Sequence, residues 1–188
     1  MTSSATGITP ALLVLGTGEI ARSLTQLATT ATYPVTVCDP KVHEFEFPAS
    51  AALVDKVFAE QPWQLAPHTH AIIARGHEGD PESVASLLNH DAHHVYLVAS
   101  RRRAPGVIDA ALPLLSDEHL LSRLSAPAGI DLGGNASFEI ALSVLAEIQW
   151  REHGGSLQTL SQASHHTESG RPPGPWRDND EACPGKRP

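Results

Sequence analysis

Two glycines near the start of the chain have the spacing of a phosphate-binding turn. Gly16 and Gly18 follow an apolar run at residues 11–15, and the pattern Gly-x-Gly-x-x-Ala ends at Ala21. In dinucleotide sites the first glycine permits the tight turn, the second lets the pyrophosphate approach the backbone, and the small third residue lets the next helix pack on the strand. The N–H groups at the helix start then face the phosphates. The pattern predicts a dinucleotide or related nucleotide site; the alternative is such a turn without a cofactor.

An acidic residue further along supports the nucleotide interpretation. Asp39 ends a second predicted strand at residues 33–39. It follows the glycine turn by roughly the 20 residues that separate the turn from the acid that binds the adenosine ribose. A carboxylate there repels a 2′-phosphate, which favours NAD over NADP. Pro40 pushes Asp39 toward an extended backbone and holds its carboxylate at the strand tip. The alternative role for Asp39 is to cap the turn after the strand.

Other polar residues follow predicted strands, at the edge where open α/β sheets bind ligands. His77 comes after the predicted strand at 69–74 and could donate to a ligand or act as an acid or base; a plain loop histidine is the alternative. Ser100 and Arg101 come after the predicted strand at 95–99, where guanidinium groups could hold an anionic tail. A solvated helix start would account for them equally well.

Two carboxylates remain open in their roles. Asp131 lies in a glycine-rich stretch at residues 126–134, at the end of the last predicted strand. Gly133 would let a ligand approach there, and the carboxylate could contact a pterin amino group or a ribose; a structural turn is the alternative. Glu19 is unexpected beside a phosphate site, because its charge opposes anion binding, although the helix dipole would stabilise it as a solvated residue of the first turn.

Composition excludes several classes of protein. The net charge of −8 argues against a nucleic-acid partner, which requires a basic face. No apolar run approaches the roughly 20 residues of a membrane span, and the first residues lack the basic and apolar regions of a signal peptide. Two cysteines are too few and too far apart to indicate a disulfide framework. We therefore expect a cytoplasmic protein.

Histidine is frequent, with 11 residues in the chain. His90, His93 and His94 surround a predicted helix–strand connection. No spacing of cysteines and histidines matches a structural zinc module, so we interpret these three as solvated loop histidines and predict no metal site.

The predicted elements alternate between strand and helix. Further strands are predicted at 54–58 and within 126–134. Helices are predicted after Gly18, after Asp80, twice within 105–124, and at 138–152. The predicted N-caps are Asp80, Ser116 for the second helix within 105–124, and Asn135 for the last helix. This order predicts an α/β fold: one doubly wound, mostly parallel Rossmann-like sheet between two helical layers. We predict a flexible leader at 1–9, one domain at 10–153, and a disordered tail at 154–188, where proline and glycine are frequent without periodicity.

The ordered motifs resemble the Rossmann domain of the XdhC/CoxI family, the xanthine dehydrogenase accessory factors. The resemblance runs from about residue 12 to 150 and is carried by Leu13 to Ala21, Val35 to Pro40, His77 to Asp80, Ser100 to Arg103, and Ala126 to Gly133 leading into Glu139 to Ile148. The chain departs from the family pattern where Glu19 replaces a histidine, where Ala74-Arg75-Gly76-His77 replaces Thr-His-Asp-His, where Ala99 replaces a glycine, and where Ala136-Ser137 replaces Thr-Pro. The residues before 11 are too few to supply the separate N-terminal domain that most members carry.

The resemblance implies an accessory protein that binds the molybdenum cofactor, assists its sulfuration with a cysteine desulfurase, and delivers it to an apo-hydroxylase. We accordingly expect NAD or a molybdopterin-type cofactor as ligand, a molybdenum hydroxylase as partner, and a homo-oligomer. The alternatives are an NAD-dependent oxidoreductase, for which the chain has little room outside the Rossmann unit, and a degenerate nucleotide-binding module. The predicted ligand contacts are Gly16, Thr17, Gly18, Glu19, Ile20, Asp39, Pro40, His77, Ser100, Arg101, Asp131 and Gly133.

Overall fold

The computed structural model describes residues 10–76, 79–159 and 161, and it divides into two units after Gly154. Within the described part of the first unit, six strands form one parallel sheet in the order β3-β2-β1-β4-β5-β6. This is the strand order of the doubly wound dinucleotide-binding fold. The strands are β1 (Ala11–Leu15), β2 (Val35–Cys38), β3 (Ala52–Val54), β4 (Thr69–Ile73), β5 (His94–Leu97) and β6 (Leu124–Ser125). The predicted fold class is confirmed.

Helices cover both faces of the sheet. They are α1 (Glu19–Thr30), α2 (Asp80–Asn89), α3 (Ala104–Ala111) and α4 (Ser137–His153). Buried residues of α1 and α4 pack with Leu12, Val14 and Ile72 on one face. Buried residues of α2 and α3 pack with Leu13 and Leu15, among others, on the other. Because successive strand residues point to opposite faces and both are covered, the strands are mostly apolar without alternation.

Several element boundaries differ from the prediction. β3 covers residues 52–54 instead of 54–58, and β6 is a two-residue strand at 124–125 that ends before the glycine-rich stretch. The predicted helix N-caps are wrong in three places, because the residue next to the predicted one occupies the N-cap position. Gly79 precedes α2, Ala136 precedes α4, and the Asp117 carboxylate caps a short 3₁₀ helix, Glu118–Arg123, by accepting from the His119 N–H.

Asp80, predicted as the cap of α2, is instead its first residue and is fully buried. Its Oδ2 accepts a hydrogen bond from Arg103 Nη1 at 2.5 Å, and Arg103 Nη2 donates to the Val98 carbonyl at 3.1 Å. The guanidinium therefore ties the start of α2 to the segment between β5 and α3. No helix among the described residues combines the length and the apolar character that crossing a bilayer requires.

Candidate functional site

The first glycine of the turn is required by the fold itself. Gly16 has φ +123°, and a Cβ atom built on it would lie 2.8 Å from the carbonyl oxygen of Ala74. The chain leaving β4 thus passes directly against the turn that leaves β1. Only a residue without a side chain accepts both this backbone conformation and this approach.

The second glycine is different, because the space beside it is open. Gly18 is exposed and has an extended backbone with φ −69°. A Cβ built there would meet no atom of the described residues within 4 Å, apart from its chain neighbours. Gly18 is also the N-cap of α1, and no side chain among the described residues caps the first N–H groups of this helix. A diphosphate could therefore approach both the backbone and the positive end of the helix dipole here.

Asp39 lies beside this turn and is 8% exposed. Its Oδ1 accepts the N–H of Lys41 at 2.8 Å, so the turn-capping role considered from the sequence is present. Its Oδ2 lies 3.9 Å from Nε of Arg75. Binding of a ribose by the second carboxylate oxygen stays a prediction.

Arg75 is a site residue that the sequence analysis missed. It follows β4, and its Cγ lies 3.2 Å from the Cβ position built on Gly16, so its side chain runs alongside the glycine turn toward Asp39. The side chain is 19% exposed. Its guanidinium offsets the charge of Asp39 and would attract phosphate oxygens. It would also reduce the repulsion with which Asp39 disfavours a 2′-phosphate.

Glu19 links the two helix starts at this edge of the sheet. Its Oε2 accepts a hydrogen bond from Ser137 Oγ, the first residue of α4, at 3.0 Å. Glu19 is exposed, and it lies in the first turn of α1, where the helix dipole favours a carboxylate. The geometry matches the solvated first-turn role, with an added contact between helices.

The residues after β5 make contacts of their own. Ser100 Oγ accepts the N–H of Arg103 at 3.2 Å, which is the helix-start role. Arg101 Nη2 lies 3.2 Å from Asp131 Oδ2, in an ion pair whose side chains are 87% and 75% exposed. Asp131 Oδ1 accepts the N–H of Gly133 at 3.1 Å. The prediction that Asp131 ends the last strand is wrong, because β6 ends at Ser125 and Asp131 lies in the following loop.

Four predicted contacts complete the set. Thr17 and Ile20 are half-buried, and Pro40 is exposed beside Asp39. His77 lies outside the described residues. Their part in ligand binding stays a prediction.

A second polar cluster occupies the opposite edge, where β4 and β5 begin. His70 is fully buried on β4; its Nδ1 lies 3.0 Å from the Tyr96 hydroxyl and its Nε2 lies 2.8 Å from Oε1 of Glu152, near the end of α4. A carboxylate only accepts, so Nε2–H donates to it and Nδ1 accepts from Tyr96. Burial lowers the pKa of His70, while the Glu152 carboxylate opposes part of that shift.

His94 corrects the interpretation of the loop histidines. It is buried on β5, and its Nε2 lies 2.9 Å from Ser125 Oγ, which also donates to Glu147 Oε1 at 2.5 Å. The prediction that His94 is solvated was wrong, because the strand begins one residue earlier than predicted. The side chain of His93, the preceding residue, is 47% exposed, and His90 is exposed.

An open pocket of about 350 Å³ is lined by His70, His93, His94, Trp150, Arg151, Glu152 and Gly154.

The burial of His94 predicts loss of stability in mild acid. Desolvation, with nearby Arg151, lowers its pKa from 6.5 to about 3. As the pH falls below the unfolded-state value, the unfolded chain binds a proton that the folded chain does not. We expect the free energy of unfolding to fall by about 2 kcal/mol from this residue between pH 7 and pH 5. Urea unfolding at both pH values measures it. His94→Asn should remove this contribution and leave that of the buried His70, whereas His119→Asn, at an exposed position, should leave the dependence unchanged.

Comparisons with known proteins match one family. Residues 12–148 match the family model described as XdhC Rossmann domain. The chain is 30% identical over 146 residues to a protein of Bacillus subtilis (strain 168) that is named as a probable xanthine dehydrogenase component, covering 74% of this chain and 42% of that protein. It is 28% identical over 169 residues to the "Uncharacterized protein YqeB" of Escherichia coli (strain K12), covering 85% and 31%. The chain thus spans less than half the length of these relatives.

A solved structure shares the fold. The crystal structure of a xanthine dehydrogenase from Bacillus halodurans superposes with a TM-score of 0.63 at 19% sequence identity, covering 76% of this chain and 44% of that one. At this identity the likeness supports the architecture alone.

Proposed function

Because this chain belongs to the family of XdhC Rossmann domains, we propose that it is an accessory protein that assists maturation of a molybdenum hydroxylase of the xanthine or CO dehydrogenase type. Its cargo would be a dinucleotide or a molybdenum cofactor bound at the glycine turn. The name of the Bacillus subtilis relative refers to a xanthine dehydrogenase, which favours such a system. The chain would carry the cofactor and leave the redox chemistry to its partner.

The observation that carries the proposal is the open, uncapped helix start at Gly18. A diphosphate there would receive hydrogen bonds from backbone N–H groups of α1 and charge from Arg75. Asp39 has one carboxylate oxygen bound to Lys41 and the other facing Arg75, so a ribose would compete for the second oxygen. These residues would bind and orient the cargo.

The proposed partners are the hydroxylase and a cysteine desulfurase, which the protein would contact in the cytoplasm. We also propose that the chain forms a homo-oligomer. Phe45 is fully exposed, and Phe138 is 55% exposed; the two line one groove beside α1. Large apolar side chains grouped on a surface are typical of protein contact sites.

The test identifies the ligand. The full chain would be purified from a host grown with molybdate, and the retained ligand identified by mass spectrometry. Recovery of a molybdopterin-type cofactor, and a rise in melting temperature when it is added back, would support the proposal. Turnover of NAD with a panel of hydroxy acids would favour an oxidoreductase. A melting temperature unchanged by either nucleotide or molybdopterin would favour the degenerate module.

A further inference from the structure

We propose that His70, His93 and Glu152 form a binding site for a divalent transition metal of the zinc class, at the sheet edge opposite the glycine turn. One ligand atom from each residue lies within 4.8 Å of the others. Two imidazoles and one carboxylate are a donor set that zinc uses in sites with a free coordination position. The inference is independent of the proposed function, because it involves no residue of the glycine turn.

The two distances to the Glu152 carboxylate require small movements. Oε1 of Glu152 lies 2.8 Å from Nε2 of His70 and 3.9 Å from Nε2 of His93. Tetrahedral zinc with bond lengths near 2.0–2.1 Å places its ligand atoms about 3.3 Å apart. One distance must lengthen and the other shorten, by about half an ångström each. His93 can supply the shortening, because its side chain is 47% exposed and it precedes β5, and Glu152, whose side chain is 22% exposed, can supply the lengthening.

The backbone holds the two histidines side by side. The N–H of His93 donates to the carbonyl oxygen of Thr69 at 2.8 Å, and His70 pairs with His94 across the parallel strands. His70 is fully buried, so its ring orientation is fixed by packing. The sheet thus fixes the position of His70, the least mobile ligand of the proposed site, whereas His93, the most mobile one, faces solvent.

Tyr96 supplies the outer contact that metal-binding histidines usually have. With zinc on Nε2, the His70 proton moves to Nδ1, which then donates to the Tyr96 oxygen 3.0 Å away. A hydroxyl can accept as well as donate, so the pair persists in both states. The displaced carboxylate hydrogen bond is replaced by a metal bond from the same Glu152 oxygen.

The surroundings allow a cation and a further ligand. The pocket of about 350 Å³ beside the cluster leaves room for water as a fourth ligand. Arg151 also lines it and would repel a cation, but its Nε donates to Glu147 Oε1 at 3.0 Å and its Nη2 to Ser125 at 2.9 Å. That carboxylate compensates the guanidinium charge. By the usual affinity order, Cu²⁺ and Ni²⁺ would also bind.

Calorimetric titration of the EDTA-stripped full chain with Zn²⁺ tests the site. We expect one equivalent to bind with a Kd in the micromolar range or tighter, and His93→Ala to weaken it at least tenfold while the melting temperature without metal is unchanged. Glu152→Gln, which still accepts from His70, should weaken it similarly. His119→Ala removes an exposed histidine outside the cluster and should bind as wild type. No Zn²⁺ uptake, or equal affinity in His93→Ala and His119→Ala, would overturn the inference and leave the cluster as a hydrogen-bonded tie between α4 and the sheet.

Discussion

Replacing Arg103 with alanine is expected to lower the free energy of unfolding by about 3 kcal/mol, the lower end of the range for breaking a buried ion pair. The side chain of Asp80 is 1% exposed, and its Oδ1 has no hydrogen-bond partner among the described residues. Removing the guanidinium would leave this carboxylate charged and desolvated. Arg103 itself is 33% exposed, which is why we expect the lower end. Urea unfolding measures the loss.

The same chain provides a matched control for the Arg103 variant. Arg101 also pairs with an aspartate, but both side chains are exposed, and such pairs contribute little. Arg101→Ala should change stability by less than about 0.5 kcal/mol. In Arg103→Ala, adding Asp80→Asn should recover part of the loss, because it removes the stranded charge. Similar values for the two arginine variants would contradict the proposed role of burial.

Gly18→Val is expected to reduce nucleotide affinity about 100-fold, equivalent to about 2.7 kcal/mol, while leaving the fold intact. The valine side chain would occupy the space through which a diphosphate must approach. The backbone conformation of Gly18 and the open space beside it both accept a side chain. Titration with NAD, and with the cofactor recovered from the wild-type protein, measures the affinity; thermal unfolding measures the fold.

Gly16→Ala serves as the opposite control. Its methyl group would meet the Ala74 carbonyl at 2.8 Å with φ at +123°, so we expect a loss of about 2 kcal/mol in stability. If Gly18→Val kept wild-type affinity, the site would not lie where we place it; if it unfolded as readily as Gly16→Ala, position 18 would not have the open space described above.

The sheet and its glycine turn could be predicted because their signals are local. Parallel strands buried on both faces appear as short apolar runs such as Leu12 to Leu15, and the turn requires glycine at Gly16. The boundaries of strands and helices were harder to predict from the sequence. β6 has only two residues, too few for a periodic signal, and so Asp131 was wrongly placed at the end of the last strand.

Side chains that meet across the fold left no such signal. Arg75 follows a strand in a way typical of any solvated loop residue, and only the close passage of β4 against the glycine turn brings it to Asp39. His70, His93 and Glu152 come from two neighbouring strand starts and a distant helix end. The register of β4 and β5 places the two histidines side by side, and the packing of α4 on the sheet brings the Glu152 carboxylate to them. A search of the sequence for fixed metal-binding spacings detects neither of these long-range contacts.

The contrast between the two glycines has a consequence for how this sequence could diverge. Position 16 is constrained by the passing backbone of Ala74, so any descendant that keeps the sheet keeps a glycine there. Position 18 has open space beside it, so no close contact within the fold preserves glycine there, whereas binding of the proposed ligand would. Among descendants of this chain, a bulky residue at 18 together with an intact glycine at 16 would mark a lineage that had lost the proposed ligand and kept the architecture.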